Sequence, residues 1–330
     1  MLFKTFIADL ILTTARKQLI SVDATSYYHC VSRCVRRSFL CGADPLTNTS
    51  YEHRREWIER KIHALTEVYC IDVCTYAIMN NHYHLVLHIN KDKALALSLN
   101  EVVEHWGREH KLPVLIERWQ NKQLTNQAEE DKCLELIEVW RERLWSLSWF
   151  MKELNYDIAC RANREDNCTG HFWESRFKSQ ALLDEKALAA AMAYVDLNPI
   201  RAGIATTPET SEFTSIKARI DALGKNLATA PCLHPFIGHP TNEMLDGIPF
   251  RLIDYIELID WTARLFLEGK TSMDANQPAI LARLNFNQKS WLMVCTGLEK
   301  TRTIAVGCHV HTVQAKAALK KKKMHIYQLE

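Results

Sequence analysis

The stretch from Ile71 to Ile89 constrains this chain more than any other. Large apolar, aromatic and β-branched residues fill Ile71–Ile78 and again His82–Ile89, with Asn80-Asn81 between them. Two such runs joined by a short polar turn read as an antiparallel hairpin. Side chains alternate across a strand, so His82 and His84 project from one face, with His88 farther along the same face. A neutral imidazole keeps a lone pair for a divalent cation, and two at this spacing make half a metal site. Taken alone, the pair reads first as two half-exposed strand histidines, and only the rest of the chain raises the metal reading.

The segments around the hairpin extend it. Tyr27 to Val35 alternates as a first strand, and Gly42, Asp44-Pro45 and Asn48 mark a loop. Thr49 with Glu52 three residues on reads as a capping box. Behind it Trp57, Ile58, Ile62, Leu65 and Tyr69 recur at helical spacing, which predicts an amphipathic helix over 51–69. Strand, helix, strand, strand opens a ferredoxin-like unit. Residues 91–145 are helical and highly charged, with Pro113 as a break and 120–131 as an exposed loop. Leu144, Leu147, Met151, Leu154 and Ile158 mark a helix ending near Asn163. Arg176 to Leu182 is a fourth strand. Asp184 caps a helix that runs from Glu185 to about Leu197, where Asn198-Pro199 ends it.

The expected fold is therefore α+β: a ferredoxin-like or RRM-like antiparallel sheet with helices on one face. Residues 1–22 read as a leader, 23–205 as the core domain with a helical insertion over about 91–145, and 206–330 as a mainly helical addition without a catalytic motif. In that addition 252–266, 277–284 and 288–298 carry the helical pattern. His234, His239, His309 and His311 read as scattered surface residues.

Composition narrows the setting. A chain of 330 residues that is 47% hydrophobic and 24% charged holds one large domain or two ordinary ones. No run approaches the roughly 20 apolar residues of a membrane span, so no membrane is expected. Lys4 and Asp9 interrupt the apolar start, which reads as neither signal peptide nor anchor. Eleven scattered cysteines read as buried reduced thiols in a cytoplasmic protein. A net charge of +2 is too small to announce a nucleic-acid partner. The local basic clusters say more: Arg33, Arg36 and Arg37; Arg161 and Arg164; Arg176 and Lys178; Lys320 to Lys323. Each alone is a solvated face, but gathered around one site they would suit phosphates.

The last core helix holds Tyr194-Val195-Asp196-Leu197-Asn198-Pro199. Tyr194 and Asn198 are four apart and share a helix face. A tyrosine beside a cation is a candidate nucleophile, and an asparagine carbonyl can complete a cation's shell. Tyr194 also reads as a core aromatic, and Asn198-Pro199 as no more than a helix stop.

Four blocks, in order, resemble the single-tyrosine HUH transposases and, within them, the REP-associated tyrosine transposases. They are Tyr28-His29-Cys30-Val31-Ser32-Arg33; His82-Tyr83-His84; Phe172-Trp173-Glu174-Ser175-Arg176-Phe177; and Tyr194 to Gly203. The resemblance covers roughly residues 20–205. It implies that His82 and His84 bind Mg²⁺ or Mn²⁺, with Asn198 as third ligand where insertion-sequence relatives often carry the longer Gln. It implies that Tyr194 attacks a phosphodiester of single-stranded DNA, leaving a 5′-phosphotyrosine link and a free 3′-hydroxyl. The DNA would be a short hairpin with a few unpaired bases beside it. Arg33, Arg36, Arg37, Arg176, Lys178 and Arg201 belong to or flank the blocks and are the expected phosphate contacts. Trp173 or Tyr27 is an expected platform for an unpaired base. A monomer is expected over a homodimer.

Two other readings stand beside a DNA nicking and rejoining enzyme. One is a hairpin-DNA-binding regulator of the same fold that has lost catalysis. The other is a metal-dependent hydrolase of small phosphoesters, which would not need Tyr194.

Overall fold

A computed structural model describes residues 19–35, 40–44, 48–238, 246–268, 277–299, 303–320 and 324–329. Residues 1–18 of the expected leader and Arg36, Arg37, His239 and Lys321–Lys323 lie outside the described residues.

The expected strands form where β-branched, aromatic and other large apolar residues crowd the chain. β1 is Tyr27–Arg33, and a two-residue ribbon pairs β2 (Ala43–Asp44) with β3 (Thr49–Ser50). Helix α1, His53–Val68, then leads to β4 (Ile71–Ile78) and β5 (His82–Ile89). Thr49 caps nothing, contrary to the capping-box expectation. It sits in β3, and Glu52 at the helix start instead pairs with Arg55 at 2.7 Å. The insertion comprises α2 (Lys91–Ala96), α3 (Leu99–Gly107), α4 (Val114–Gln120) and α5 (Gln127–Leu144). Helix α5 starts inside the expected loop because the Asn126 side chain accepts from Glu129 N at 3.0 Å. Then come α6 (Leu147–Glu165), β6 (Lys178–Leu182) and α7 (Glu185–Asp196). As expected, Asp184 caps α7, accepting from Ala187 N at 2.8 Å. Pro199 does not stop the chain turning: α8, Asn198–Arg201, follows at once, with proline in its first turn, where a missing N–H costs nothing.

The core strands order as β4-β5-β1-β6, all antiparallel, which is the ferredoxin-like arrangement. Helices do not keep to one face. Tyr83, Leu85, Leu87 and Ile89 pack with Ile58, Ile62, Phe150 and Leu154 from α1 and α6. The opposite face, with Val86 of β5, is covered by α7, whose run of alanines lets it lie close to the sheet. One face could not have sufficed, since apolar side chains emerge from both sides of β4 and β5.

The C-terminal region adds α9 (Ser215–Gly224), α10 (Leu252–Glu268), α11 (Ala279–Arg283), α12 (Gln288–Gly297), β7 (Ala305–Gly307), α13 (His309–Ala318) and β8 (Ile326–Gln328). It is not wholly helical, because β7 and β8 join parallel beyond β6 and make the sheet six-stranded. Nor does it stand apart at residue 205. Leu188, Met192 and Val195 of α7 share one core with Tyr255, Ile259, Trp291 and Val294. Buried Asp196 fastens the two. It accepts from Ser215 Oγ at 2.5 Å, Ile216 N at 3.0 Å and Tyr255 Oη at 2.7 Å.

Candidate functional site

The register collects the polar residues of the sheet on the α7 side. His84 stands opposite Val31, His82 opposite Arg33, and His29 opposite both Val86 and Gln180. Directly opposed residues point to the same face. Arg33, His29, Gln180, Lys178, His82 and His84 therefore share the face on which α7 lays Tyr194. The Tyr194 ring lies edge-on to His29 and His84, with centroids 6.0 and 5.7 Å away.

Hydrogen bonds fix the protons of this face. Gln180 Nε2 donates to Thr303 Oγ1 at 2.9 Å and lies within 3.3 Å of the carbonyls of Thr303 and Leu298, so its carbonyl oxygen faces His29. His29 Nδ1 must then donate to Gln180 Oε1, at 2.8 Å, and its Nε2 is an acceptor. His84 Nδ1 donates into that acceptor at 3.0 Å. What remains is His84 Nε2, a buried lone pair with no hydrogen-bond partner. His82 is set the same way: Asn81 Oδ1 accepts from its Nδ1 at 2.5 Å, leaving Nε2 as the lone pair. Burial holds His82 down at about 4 and His84 well below the usual imidazole range, so both are neutral at pH 7.

A carboxylate completes the group. Donor atoms of His82, His84 and Glu299 lie within 4.8 Å of one another. An orphaned imidazole nitrogen deep in the fold, oriented by a partner on its other nitrogen, is what a metal ligand needs. The residues fit a divalent cation. Glu299 also accepts from Tyr194 Oη at 3.2 Å and lies 3.6 Å from Arg33 Nη2. The Arg201 guanidinium sits 3.8 Å from the Tyr194 ring centroid and donates to the carbonyls of Tyr194 and Cys295. Its Nε is a buried donor without a partner. Burial raises the Tyr194 hydroxyl above its usual range, against the pull of Arg201. Tyr194 is thus a neutral phenol, 5% exposed.

The expected residues fall into three groups. His82, His84, Tyr194, Arg33 and Arg201 come together. Asn198 is buried one turn past Tyr194 at the start of α8, and the oxygen donor gathered with the two histidines is Glu299. Arg176 and Lys178 are exposed beyond the edge of this group. Arg176 lines a groove of about 820 Å³ on the α6 side, with Lys152, Tyr156, His171 and Trp173. Trp173 is partly buried there, donating to Asn155 O at 2.8 Å and edge-on to Tyr83 at 5.7 Å. Tyr27 packs on His88 at 4.7 Å.

Sequence reading missed His29, Gln180 and Glu299 as site residues. His29 stood in a recognised block, and its pairing register was the signal. Glu299 carried none, since it arrives from 105 residues beyond Tyr194.

Among the described residues, no helix is long and apolar enough to cross a membrane. No family model matches the chain, and no curated protein matches it. Among solved structures, the chain is similar to a REP-associated tyrosine transposase bound to a REP hairpin, at 10% identity and a TM-score of 0.38, over 72% of this chain and 97% of that one.

Proposed function

We propose that this protein nicks and rejoins single-stranded DNA with Tyr194 as nucleophile, acting on hairpin DNA, with a divalent cation held by His82, His84 and Glu299. The observation that carries the reading is the meeting of a tyrosine hydroxyl with two oriented, unpartnered imidazole lone pairs on one sheet face. The sequence blocks supply the substrate class. A structural pair of histidines has no use for a buried bare nitrogen, which costs about 1–3 kcal/mol when nothing binds it.

In the proposed reaction Tyr194 Oη bonds to phosphorus as the P–O3′ bond breaks. The phenolic proton passes to Glu299, and the departing 3′ oxygen takes a proton from solvent. The reverse attack by a 3′-hydroxyl restores the phosphodiester. Because the bond is conserved in the phosphotyrosine link, no nucleotide cofactor is needed. The cation would polarise the scissile phosphate and neutralise its charge. With two nitrogens and a carboxylate, Mn²⁺ suits the donors better than Mg²⁺. Asn198, one turn past Tyr194, would offer a further oxygen donor. Arg201 Nε finds its missing acceptor in a phosphate oxygen, and Arg33 and Lys178 lead the backbone towards it.

One observation favours the binding-only reading, in which the protein is a catalytically silent regulator. Tyr194 is 5% exposed, so DNA reaches it only if its cover opens. A covalent-adduct assay separates the two. End-labelled single-stranded hairpin DNA from the flanks of the gene is incubated with protein and Mn²⁺ and run on a denaturing gel. A metal-dependent band that vanishes in Tyr194→Phe and His82→Ala supports the enzyme. DNA retention in a native gel without any such band supports the regulator.

A further inference from the structure

A second group of metal-type donors lies on the same sheet face, at the far end of β5. Asp72 of β4 and His88 of β5 face His234 and Asp246 from the C-terminal region, and one donor atom of each lies within 4.8 Å of the others. We propose that these four residues form a closed, structural site for a zinc-type divalent ion, distinct from the His82–His84 group and independent of the function proposed above.

Three observations carry this. First, the donors sit near tetrahedral spacing. Zinc bonds of about 2.0–2.2 Å place neighbouring ligand atoms about 3.4 Å apart. His88 Nδ1 is 3.0 Å from Asp72 Oδ2 and 3.9 Å from Asp246 Oδ1. His234 Nε2 is 3.7 Å from Asp246 Oδ1. Displacements of a few tenths of an ångström bring most of these edges to the ideal.

Second, His234 is 4% exposed, and its Nε2 has no hydrogen-bond partner. The ring is stacked on His88 with centroids 5.0 Å apart. A buried imidazole nitrogen is directed into the group and left bare. The reading of His234 as a surface residue is thereby corrected.

Third, the ligands are themselves held. Asn90 donates to the second oxygen of Asp246. The Tyr27 ring packs on His88. His234 N donates to Val73 O at 2.9 Å, and Arg219 donates to His234 O at 3.3 Å. Such outer contacts keep ligating groups aimed.

The donor set names the ion. Two imidazoles and two carboxylates suit zinc and its neighbours, whereas calcium and magnesium take oxygen. The two carboxylates cancel the ion's charge, and four protein ligands close the shell, as in structural sites. The ion displaces the His88 proton now directed at Asp72. It clamps the C-terminal region, through the segments at 234 and 246, onto the β4–β5 edge.

The test uses the full chain stripped with EDTA, then loaded with Zn²⁺, with bound metal counted after gel filtration. Wild type is expected to bind two equivalents. Asp246→Asn, a substitution at a half-exposed position that leaves the fold intact, is expected to bind one. His82→Ala/His84→Ala is expected to bind one, and Zn²⁺ is expected to raise its melting temperature. Adding Asp246→Asn to that pair is expected to abolish the shift and weaken zinc binding at least 10–100-fold. If Asp246→Asn still binds two, or the His82→Ala/His84→Ala protein binds none, the proposal is overturned.

Discussion

His29 Nε2 accepts a hydrogen bond from His84 Nδ1 at 3.0 Å, and this single contact decides which nitrogen of His84 is bare. The order runs back through Gln180 to the Leu298 and Thr303 carbonyls, so the lone pair of His84 is set by residues more than 200 positions away. Replacing Gln180 with Leu frees the His29 tautomer. Mn²⁺ affinity in the full chain is then expected to fall roughly 10–100-fold, with DNA retention unchanged. Metal titration of adduct formation checks this, and unchanged affinity would count against the relay.

Glu299→Ala separates chemistry from stability. Arg33 and Tyr194 lose a partner that is itself partly exposed, so melting is expected to change little, by about 0–1 kcal/mol. Single-turnover adduct formation is expected to slow roughly 10²–10⁴-fold, the usual worth of a positioned proton acceptor. An adduct formed at full rate would remove Glu299 from the mechanism.

The pH profile follows from the buried imidazoles. His82 titrates at about 4, His84 well below its usual range and His29 below it, in each case because burial penalises the charged ring. The unfolded chain protonates them near 6.5 and so binds more protons than the fold. Their contribution is therefore complete above about pH 6.5 and is lost as pH falls towards 4. Asp196, raised by burial, acts in the opposite sense as pH rises past its unfolded value. Melting temperatures in EDTA are expected to drop between pH 6.5 and 4.5, and a flat profile would contradict the assignment.

Asp196→Ala leaves Ser215 Oγ, Ile216 N and Tyr255 Oη without their acceptor. The expected loss is about 3–5 kcal/mol, since each buried donor left unsatisfied costs about 1–3 kcal/mol. The C-terminal region should then be cut first in limited proteolysis, since it is the partner released. A variant as resistant as wild type would show that the apolar contacts suffice.

Much of the fold was legible in the sequence because it is written locally. The apolar, aromatic and β-branched runs Ile71–Ile78 and His82–Ile89, the Asp184 cap and the helical spacing of α6 each speak over a few residues. The pair His82–His84 was legible for the same reason. The second helical face of the sheet was not, because β4 is apolar on both sides and carries no signal of what covers each. Strands β7 and β8, at three residues each, are too short to alternate. Glu299 and the His88–His234 pair depend on chain segments brought together from afar, and no local pattern records such a meeting.

Strands β7 and β8 and the turn at 298–299 follow every strand of the ferredoxin-like core along the chain. A ribosome that has reached residue 298 has already synthesised Tyr194, both histidines and every strand of the ferredoxin-like core, but not Glu299 or the Thr303 groups that orient Gln180. Until residues 299–303 have been made, Tyr194 Oη has no Glu299 to donate to and Gln180 no Thr303 to hold it. Order of synthesis thus places Tyr194 and the His82–His84 pair in the chain well before the groups that complete their hydrogen bonds.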